Sequence, residues 1–452
     1  MESTRAKVAA SAAVLLIGLA ATILASGTST AVDYSSGIII DFGDYDAVYS
    51  PQDEADTPAD ALESACDSLG YDVSYRDGAV YSIGGTASTS TASWALYVVY
   101  SGDSEWTLLE DAGDTVLSDY TAVCYGYCAD GEDPAPAVDS TGYSIYGYDT
   151  PTRIVSLAPS CTETICSVGG AEYIVGTDLY SNYPASIVEG QEDGTIAIVG
   201  GFTNPSYEKI LQQDPDLVVC ISTQSGHLQT AEKLRAVGYR VVVLDGGESI
   251  DAVLDNIFRM GVVMDDAEDA TDTIEGLESS MGELASAVEA YMEANGIESQ
   301  TKVMVALSAL QSPWVSGANT YVHDVLGTVY AYNVYSSEDG WVQVNAETII
   351  QYNPEVIIVV NDEYDATEED YQLMLGDMSA EWQGTDAYKD GRIYLFTGDA
   401  NDCASRAGPR VAELAELVAR AVYGDAFSDG VVLPMYIGDD YKDYVLIAEV
   451  AV

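Results

Sequence analysis

The stretch MDDAEDATDTIEGLESSMGELASAVEAYMEANG, residues 264–296, places Ile274, Leu277, Met281, Leu284, Val288 and Met292 at three- and four-residue steps. That spacing predicts one apolar stripe along an otherwise acidic helix. Asp265, Asp266, Glu268 and Asp269 fall in its first turns, where the helix dipole favours negative charge, and Asn295 followed by Gly296 supplies the stop. At 1.5 Å per residue the helix spans roughly 45 Å, more than the width of a small lobe, so it is expected to connect two bodies.

An internal repeat says what it connects. EKILQQDPDLVV (208–219) lies upstream and ETIIQYNPEVII (347–358) downstream, with the same order of acid, helix-forming apolar residues, Asx-Pro turn and β-branched strand. Two similar α/β units, residues 151–263 and 297–424, are expected on either side of helix 264–296, with a cleft between them.

The 452 residues supply two or three domains, and 48% hydrophobic content argues against disorder. Asp and Glu number 74 against 16 Lys and Arg, a formal net charge of −58. This excludes nucleic acid as a partner, because phosphate binding needs basic patches, and it reads as a solvated, self-repelling surface suited to saline or extracellular conditions.

Val8–Ser26 is uncharged and rich in Ala, Val, Leu and Ile, and it follows Arg5 and Lys7, the order of a secretory signal. The protein is therefore expected to be exported. Residues 1–31 serve either as a signal cleaved near Ser29-Thr-Ala31 or as an N-terminal membrane anchor. A lipid-modified cysteine is not available, since the first cysteine is Cys66. The seven cysteines match no zinc spacing, and in an exported chain a bridge is expected among Cys66, Cys124 and Cys128. Cys166 and Cys220, beside apolar neighbours, read as small buried hydrophobes.

Residues 37–128 read as a small α+β domain: the strand GIIIDF, a helix opened by Thr57-Pro58, then strands around YDVSY, AVYSI, SWALYVVY and TAVCYGY. The helix, the GYDVSYRDGAVYSIGG segment, the Trp94 strand and the closing GDTVLSDYTAVCYGY resemble the small domain at the C-terminus of transcobalamin-type carriers. The family's turn before its last strand is here Asp111-Ala-Gly-Asp114, a looser version. Residues 129–150, with Pro134, Pro136, glycines and acids but no apolar periodicity, read as an interdomain linker. In the 425–452 tail, VVLPMYIG and YVLIAEVAV read as two short strands.

In the first α/β unit, RIVSLA is a buried-type strand stopped by Pro159, and Ser160-Cys-Thr-Glu163 reads as a capping box opening a helix. Such a strand-to-helix junction leaves amides at the carboxyl edge of the sheet, where ligands dock. RIVSLAPSCTE (153–163), YSNYP (180–184), GGFTNPSYEKILQQDPDLVV (200–219), PWVSG (313–317), GWVQVNAETIIQYNPEVIIV (340–359) and SRAGPRV (405–411) resemble successive segments of the substrate-binding proteins of ABC importers for cobalamin, siderophores and haem. The resemblance covers about residues 152–424. It implies two Rossmann-like lobes with parallel sheets joined by a single rigid helix, and an importer permease as partner.

An enzyme is poorly supplied, because the chain has only His227 and His323, no G-x-S-x-G elbow, no phosphate-gripping glycine loop and no HExxH. His227 near a helix start and His323 on a helix face read as structural, and no metal or cofactor is expected. The resemblance places Ser160, Cys161, Thr162, Tyr180 and Phe202 in the cleft from one lobe, and Trp314, Trp341 and Arg406 from the other. It assigns Glu208 and Glu347 to docking on permease arginines; the alternative is that each acid merely suits its helix dipole. The sequence departs from the family at Cys161 and around Asn401-Asp-Cys403. Anionic siderophores and haem propionates call for Arg or Lys in the cleft and only Arg406 is placed there by the resemblance, so cobalamin or a related corrinoid is expected ahead of a ferric siderophore or haem. A non-transport adhesion role is the alternative outside the importer class.

Overall fold

The computed structural model describes residues 37–51, 57–76, 78–109, 116–117, 120–129, 132–308, 312–427 and 429–448. The signal or anchor segment and the Asp111–Asp114 turn lie outside these residues. Among the described residues no helix is long and apolar enough to cross a membrane.

The N-terminal module consists of β1 (Gly37–Asp41), β2 (Ala47–Pro51), α1 (Pro58–Leu69), β3 (Val73–Arg76), β4 (Ala79–Ile83), β5 (Thr86–Ala87), β6 (Ala92–Tyr100), β7 (Thr107–Leu108) and β8 (Tyr120–Ala129). α1 starts where the Thr57 hydroxyl accepts from the Asp60 amide and Pro58 occupies the first turn, and it stops at Gly70 with φ 74°. Its five-stranded sheet has the order β2-β1-β8-β6-β7, with a three-stranded sheet β3-β4-β5 beside it.

Alternation along this sheet explains the cysteines. Cys66 on α1 packs with Ile38, Ile40 and Val98 on one face. Cys124 and Cys128 pack with Ile39, Tyr97 and Val99 on the other. Four residues along one strand also separate Cys124 from Cys128 by roughly 13 Å, too far for a bridge. The expected disulfide is therefore absent: all seven cysteines are free and buried.

Residues 132–150, expected as a linker, are instead packed down. Ala137, Val138, Ile145 and Tyr146 join the main core. The buried carboxylate of Asp139 accepts from the Val243 amide at 2.9 Å and pairs with Arg235 at 2.5 Å. Tyr45 completes the docking: its hydroxyl donates to Asp255 at 3.0 Å, its carbonyl accepts from Thr271 at 3.2 Å, and its ring lies 5.2 Å from Phe258.

Lobe 1 follows with β9 (Ile154–Ser156), α2 (Pro159–Ser167), β10 (Ile174–Thr177), α3 (Ala185–Asp193), β11 (Ala197–Ile198), the hairpin β12 (Gly200–Gly201) and β13 (Asn204–Pro205), α4 (Tyr207–Gln212), β14 (Leu217–Ile221), α5 (Ser225–Arg235) and β15 (Val241–Leu244). Its sheet, β11-β10-β9-β14-β15, is parallel throughout. Helices α6 (Ile250–Val263) and α7 (Ala267–Asn295) then lead out of it.

α7 is the expected long helix. Ile274, Leu277, Met281, Leu284 and Val288 are buried along one stripe, Met292 is half-buried, and Gly296 ends it at φ 63°. Its 29 residues span about 43 Å. Met264–Asp266, assigned to the helix from sequence, form the turn after α6.

Lobe 2 contains β16 (Thr301–Ala306), β17 (Trp314–Ser316), α8 (Tyr321–Thr328), β18 (Ala331–Asn333), β19 (Trp341–Gln343), α9 (Ala346–Tyr352), β20 (Val356–Val360), α10 (Glu368–Asp377), α11 (Ala380–Gln383), α12 (Asp386–Lys389), β21 (Ile393–Phe396), α13 (Gly398–Ser405), α14 (Val411–Tyr423) and β22 (Tyr436–Ile437). β18-β16-β20-β21-β22 are parallel, and the sheet continues from β16 through β17 to β19 by two antiparallel pairings.

The repeat holds at the level of topology. α4 leads to β14 beside β9, and α9 leads to β20 beside β16. Asp214 and Asn353 both adopt φ 48°, a left-handed conformation that Asx side chains tolerate, and each precedes a proline that cannot continue the helix. One continuous apolar core runs from Ile39 of the module through Ile154, Ile257 and Leu284 to Val303 and Val356, so module, lobes and helix share packing.

The tail differs from expectation. Tyr436–Ile437 is a strand, pairing with β21, but Tyr441–Tyr444 is a 3₁₀ turn. The amides of Leu446, Ile447 and Ala448 donate at 2.8–3.0 Å to the buried carboxylate of Glu416 instead of to a ladder.

Candidate functional site

The carboxyl ends of both parallel sheets converge where the lobes meet, the place at which open α/β sheets bind ligands. Lobe 1 presents the start of α2 after β9, with Pro159 and Ser160, and the turn after β10, with Asp178, Leu179 and Tyr180. Lobe 2 presents Leu307 after β16, and Trp314 beside it through the Leu307 amide to Trp314 carbonyl bond of 2.9 Å. At the junction itself Gly247, at φ 93°, offers its carbonyl to the Tyr321 amide, and a Cβ there would meet Ala407 at 2.2 Å.

Large apolar side chains are left uncovered at this edge. Tyr180 is 58% exposed and Trp314 48%, with Leu179 and Leu307 also exposed. Exposed aromatics on a turn and at a strand end over a fixed sheet suit a flat ligand face better than core packing does.

The expected cleft residues divide. Ser160 is half-exposed and available. Cys161 is buried in the core, and Thr162 is fully buried, its hydroxyl bonded to Ser156 and Ser181 at 2.8 Å each. Those two support the turn from behind. Burial also holds the Cys161 thiol well above its ordinary pKa, so it remains protonated. Trp341 is half-buried against the main core, opposite Ser316 on β17.

Phe202 is half-buried at the tip of the β12–β13 hairpin, and His227 holds it there. His227 on α5 donates from Nε2 to the Phe202 carbonyl at 2.6 Å, accepts at Nδ1 from the Ile221 amide at 3.4 Å, and meets the Phe202 ring edge-on at 5.4 Å. Burial lowers the imidazole pKa below 6.5, which keeps the ring neutral in this tautomer. The other histidine, His323 on α8, bonds through Nδ1 to the Asn333 amide group at 3.3 Å. Both histidines thus sit in hydrogen bonds to neighbouring elements, as a structural role requires.

Arg406 is not a free cation. It is 9% exposed, and its guanidinium pairs with Glu163 at 2.8 Å and Asp402 at 2.7 Å and donates to the Tyr180 carbonyl at 3.1 Å. Glu163 is not the expected capping residue, because α2 begins at Pro159 with Ala158 as its N-cap and no side-chain cap bond. Its fully buried carboxylate reaches across to the other lobe, taking Arg406 on Oε1 and Arg410 on both oxygens at 2.7 and 2.9 Å. Arg410 packs under the Tyr183 ring, 4.5 Å from its centroid. Sequence reasoning missed Glu163, Arg410 and Tyr183 as partners. The available signal was the pair of arginines four apart in SRAGPRV, two cations in a chain that has few.

Glu208 and Glu347 are exposed, each the second residue of its helix. The caps are other residues: Ser206 accepts from the Lys209 amide at 3.4 Å, and Asn345 from the Thr348 amide at 3.0 Å. The helix starts are thus satisfied without the glutamates.

The comparisons agree with this geometry. The Periplasmic binding protein family matches residues 154–400, more than half of the chain. The uncharacterized ABC transporter substrate-binding lipoprotein YvrC of Bacillus subtilis is 23% identical over 297 residues, covering 66% of this chain and 88% of its own. A cobalamin-binding protein of Halobacterium salinarum is 23% identical over 288 residues, covering 62% and 73%. A periplasmic heme binding protein from Pseudomonas aeruginosa superposes with a TM-score of 0.53 at 20% identity, over 61% of this chain and 94% of its own, a likeness of fold. With two parallel-sheet lobes, one connecting helix and a match across both, the chain belongs to the periplasmic binding protein family.

Proposed function

We propose that the protein is the extracytoplasmic substrate-binding component of an ABC importer, that its cleft takes cobalamin or a related corrinoid, and that it delivers this ligand to the permease without chemical change. One observation carries the ligand class: the cleft edge offers exposed aromatic and aliphatic faces, Tyr180, Leu179, Trp314 and Leu307, while its arginine is already paired with carboxylates. A large ligand of low net charge meets such a surface by stacking and apolar contact, whereas an anionic chelate needs unpaired cations. The relative from Halobacterium salinarum, by its name, binds a ligand of this class.

Glu208 and Glu347, at the start of each copy of the repeat and one on each lobe, are the proposed contacts with permease arginines. Residues 1–31 are proposed to direct export and either to be removed or to remain as a tether. Titration of the purified protein with cyanocobalamin, a ferric siderophore and haem tests the reading. Saturable one-to-one binding of the corrinoid supports it. Tight binding of the siderophore or haem with none of the corrinoid overturns the ligand, and binding of none favours adhesion.

A further inference from the structure

We infer that the C-terminal tail, residues 436–448, positions the Tyr180 turn for its ligand, with Lys442 as the residue that reaches across to lobe 1. The inference rests on the reading just given and adds a positioning element to the same cleft.

The tail lies beyond the matched residues 154–400 and is fixed to lobe 2 at two places. At one, β22 pairs with β21 and the Thr397 amide donates to the Ile437 carbonyl at 2.9 Å. At the other, Glu416 takes the amides of Leu446, Ile447 and Ala448. Between these anchors Tyr441 is buried, its hydroxyl donating to Glu413 at 2.6 Å and accepting from Arg410 at 3.2 Å. Lys442, the next residue, is thereby set at the lobe boundary. Its ammonium lies 3.4 Å from Glu413 and donates to the Tyr183 hydroxyl of lobe 1 at 2.9 Å.

Tyr183 belongs to the turn that carries Tyr180, and its neighbours are held as well. Arg406 donates to the Tyr180 carbonyl at 3.1 Å, Asn182 donates to Asp402 at 2.7 Å, and Arg410 lies 4.5 Å from the centroid of the Tyr183 ring. From within lobe 1, Asp178 accepts from the Tyr180 amide at 2.9 Å and from the Ser181 hydroxyl at 2.5 Å. Residues 180–183 are thus fastened from both lobes, while the Tyr180 ring takes part in none of these bonds and stays exposed. A ring presented on a backbone already held in place has less freedom to lose when a ligand stacks on it. Lys442 touches the ligand nowhere in this scheme; it acts through Tyr183 and the turn.

The test measures cyanocobalamin affinity in the wild type, Tyr183→Phe, Lys442→Met and Lys442→Arg, each with Tyr180 present and with Tyr180→Ala. Tyr183→Phe and Lys442→Met should each weaken binding about threefold, the effect of one hydrogen bond, and Lys442→Arg should bind as the wild type does. With Tyr180→Ala both losses should vanish, because the side chain being positioned is gone. In the free protein, amide hydrogen exchange across residues 178–184 should quicken in both variants. Tyr183→Phe keeps the Lys442–Glu413 pair and reads the same bond if Lys442→Met fails to fold. Losses of equal size with and without Tyr180, or affinity and exchange both unchanged, overturn the positioning role while the corrinoid reading stands. If the wild type binds no cyanocobalamin, that reading fails and exchange decides the rest: quickened exchange keeps the tail's hold on the turn, and unchanged exchange removes it.

Discussion

Glu163→Gln removes the carboxylate that joins the lobes and keeps its shape. In the native protein this group is fully buried and accepts three charge-assisted hydrogen bonds, at 2.7, 2.8 and 2.9 Å. Breaking a buried pair by neutralising one partner costs about 3–5 kcal/mol, because the other charge remains desolvated. Arg406 keeps Asp402 and the Tyr180 carbonyl, which moderates its loss. Arg410 keeps neutral acceptors, the Tyr441 hydroxyl at 3.2 Å and the Asp399 carbonyl at 3.5 Å. The expected loss is therefore about 3 kcal/mol, most of it arising at Arg410. Guanidinium unfolding at constant ionic strength, followed by tryptophan fluorescence, measures it as a lower midpoint. The double variant Glu163→Gln with Arg410→Met should recover part of the loss, since the stranded charge is gone. A single-variant loss below about 1 kcal/mol, the range of exposed pairs, would refute the interlobe pin.

Three further outcomes follow from the geometry. His227 has a folded pKa below 6.5, so the unfolded chain takes up its proton first; the stability His227 contributes is complete above about pH 6.5 and declines as pH falls toward the folded value. Thermal midpoints of wild type and His227→Gln should accordingly converge on acidification through that window, and parallel curves would contradict it. Glu208→Ala with Glu347→Ala should change stability by less than about 1 kcal/mol, as Ser206 and Asn345 hold the caps, while importer-dependent uptake is lost; surviving uptake would remove the docking role. Thiol titration should find all seven cysteines in denaturant without reductant and almost none in the folded protein, and a count of five would indicate a bridge.

Much of the fold was legible because it is written in local periodicity. The stripe from Ile274 to Val288 and the two Asx-Pro repeats depend on spacing and turn chemistry alone, and the structure reproduces both. What escaped were features set by distant neighbours. Residues 132–150 have a linker's composition, yet Asp139 is fixed by Arg235 and the Val243 amide, about a hundred residues away. Ser160-Cys-Thr-Glu163 has a capping box's letters, yet the helix starts at Pro159 and Glu163 answers two arginines of the other lobe. The tail's YVLIAEVAV has a strand's composition, but its described amides find Glu416. At the cleft, the exposure of Tyr180 follows from the turn that carries it and that of Trp314 from its place at the start of β17. Family position carried no such information about Cys161 and Thr162, whose burial depends on what packs behind α2.

Calorimetric titration of cyanocobalamin into the wild type and into a Tyr180→Ala, Trp314→Ala variant tests the central claim most directly. The account predicts one-to-one binding that weakens at least tenfold in the variant, about 1.4 kcal/mol, with the unfolding midpoint unchanged because both side chains are exposed. Binding of equal strength in the two proteins, or none in the wild type, would contradict a corrinoid site at this edge of the cleft.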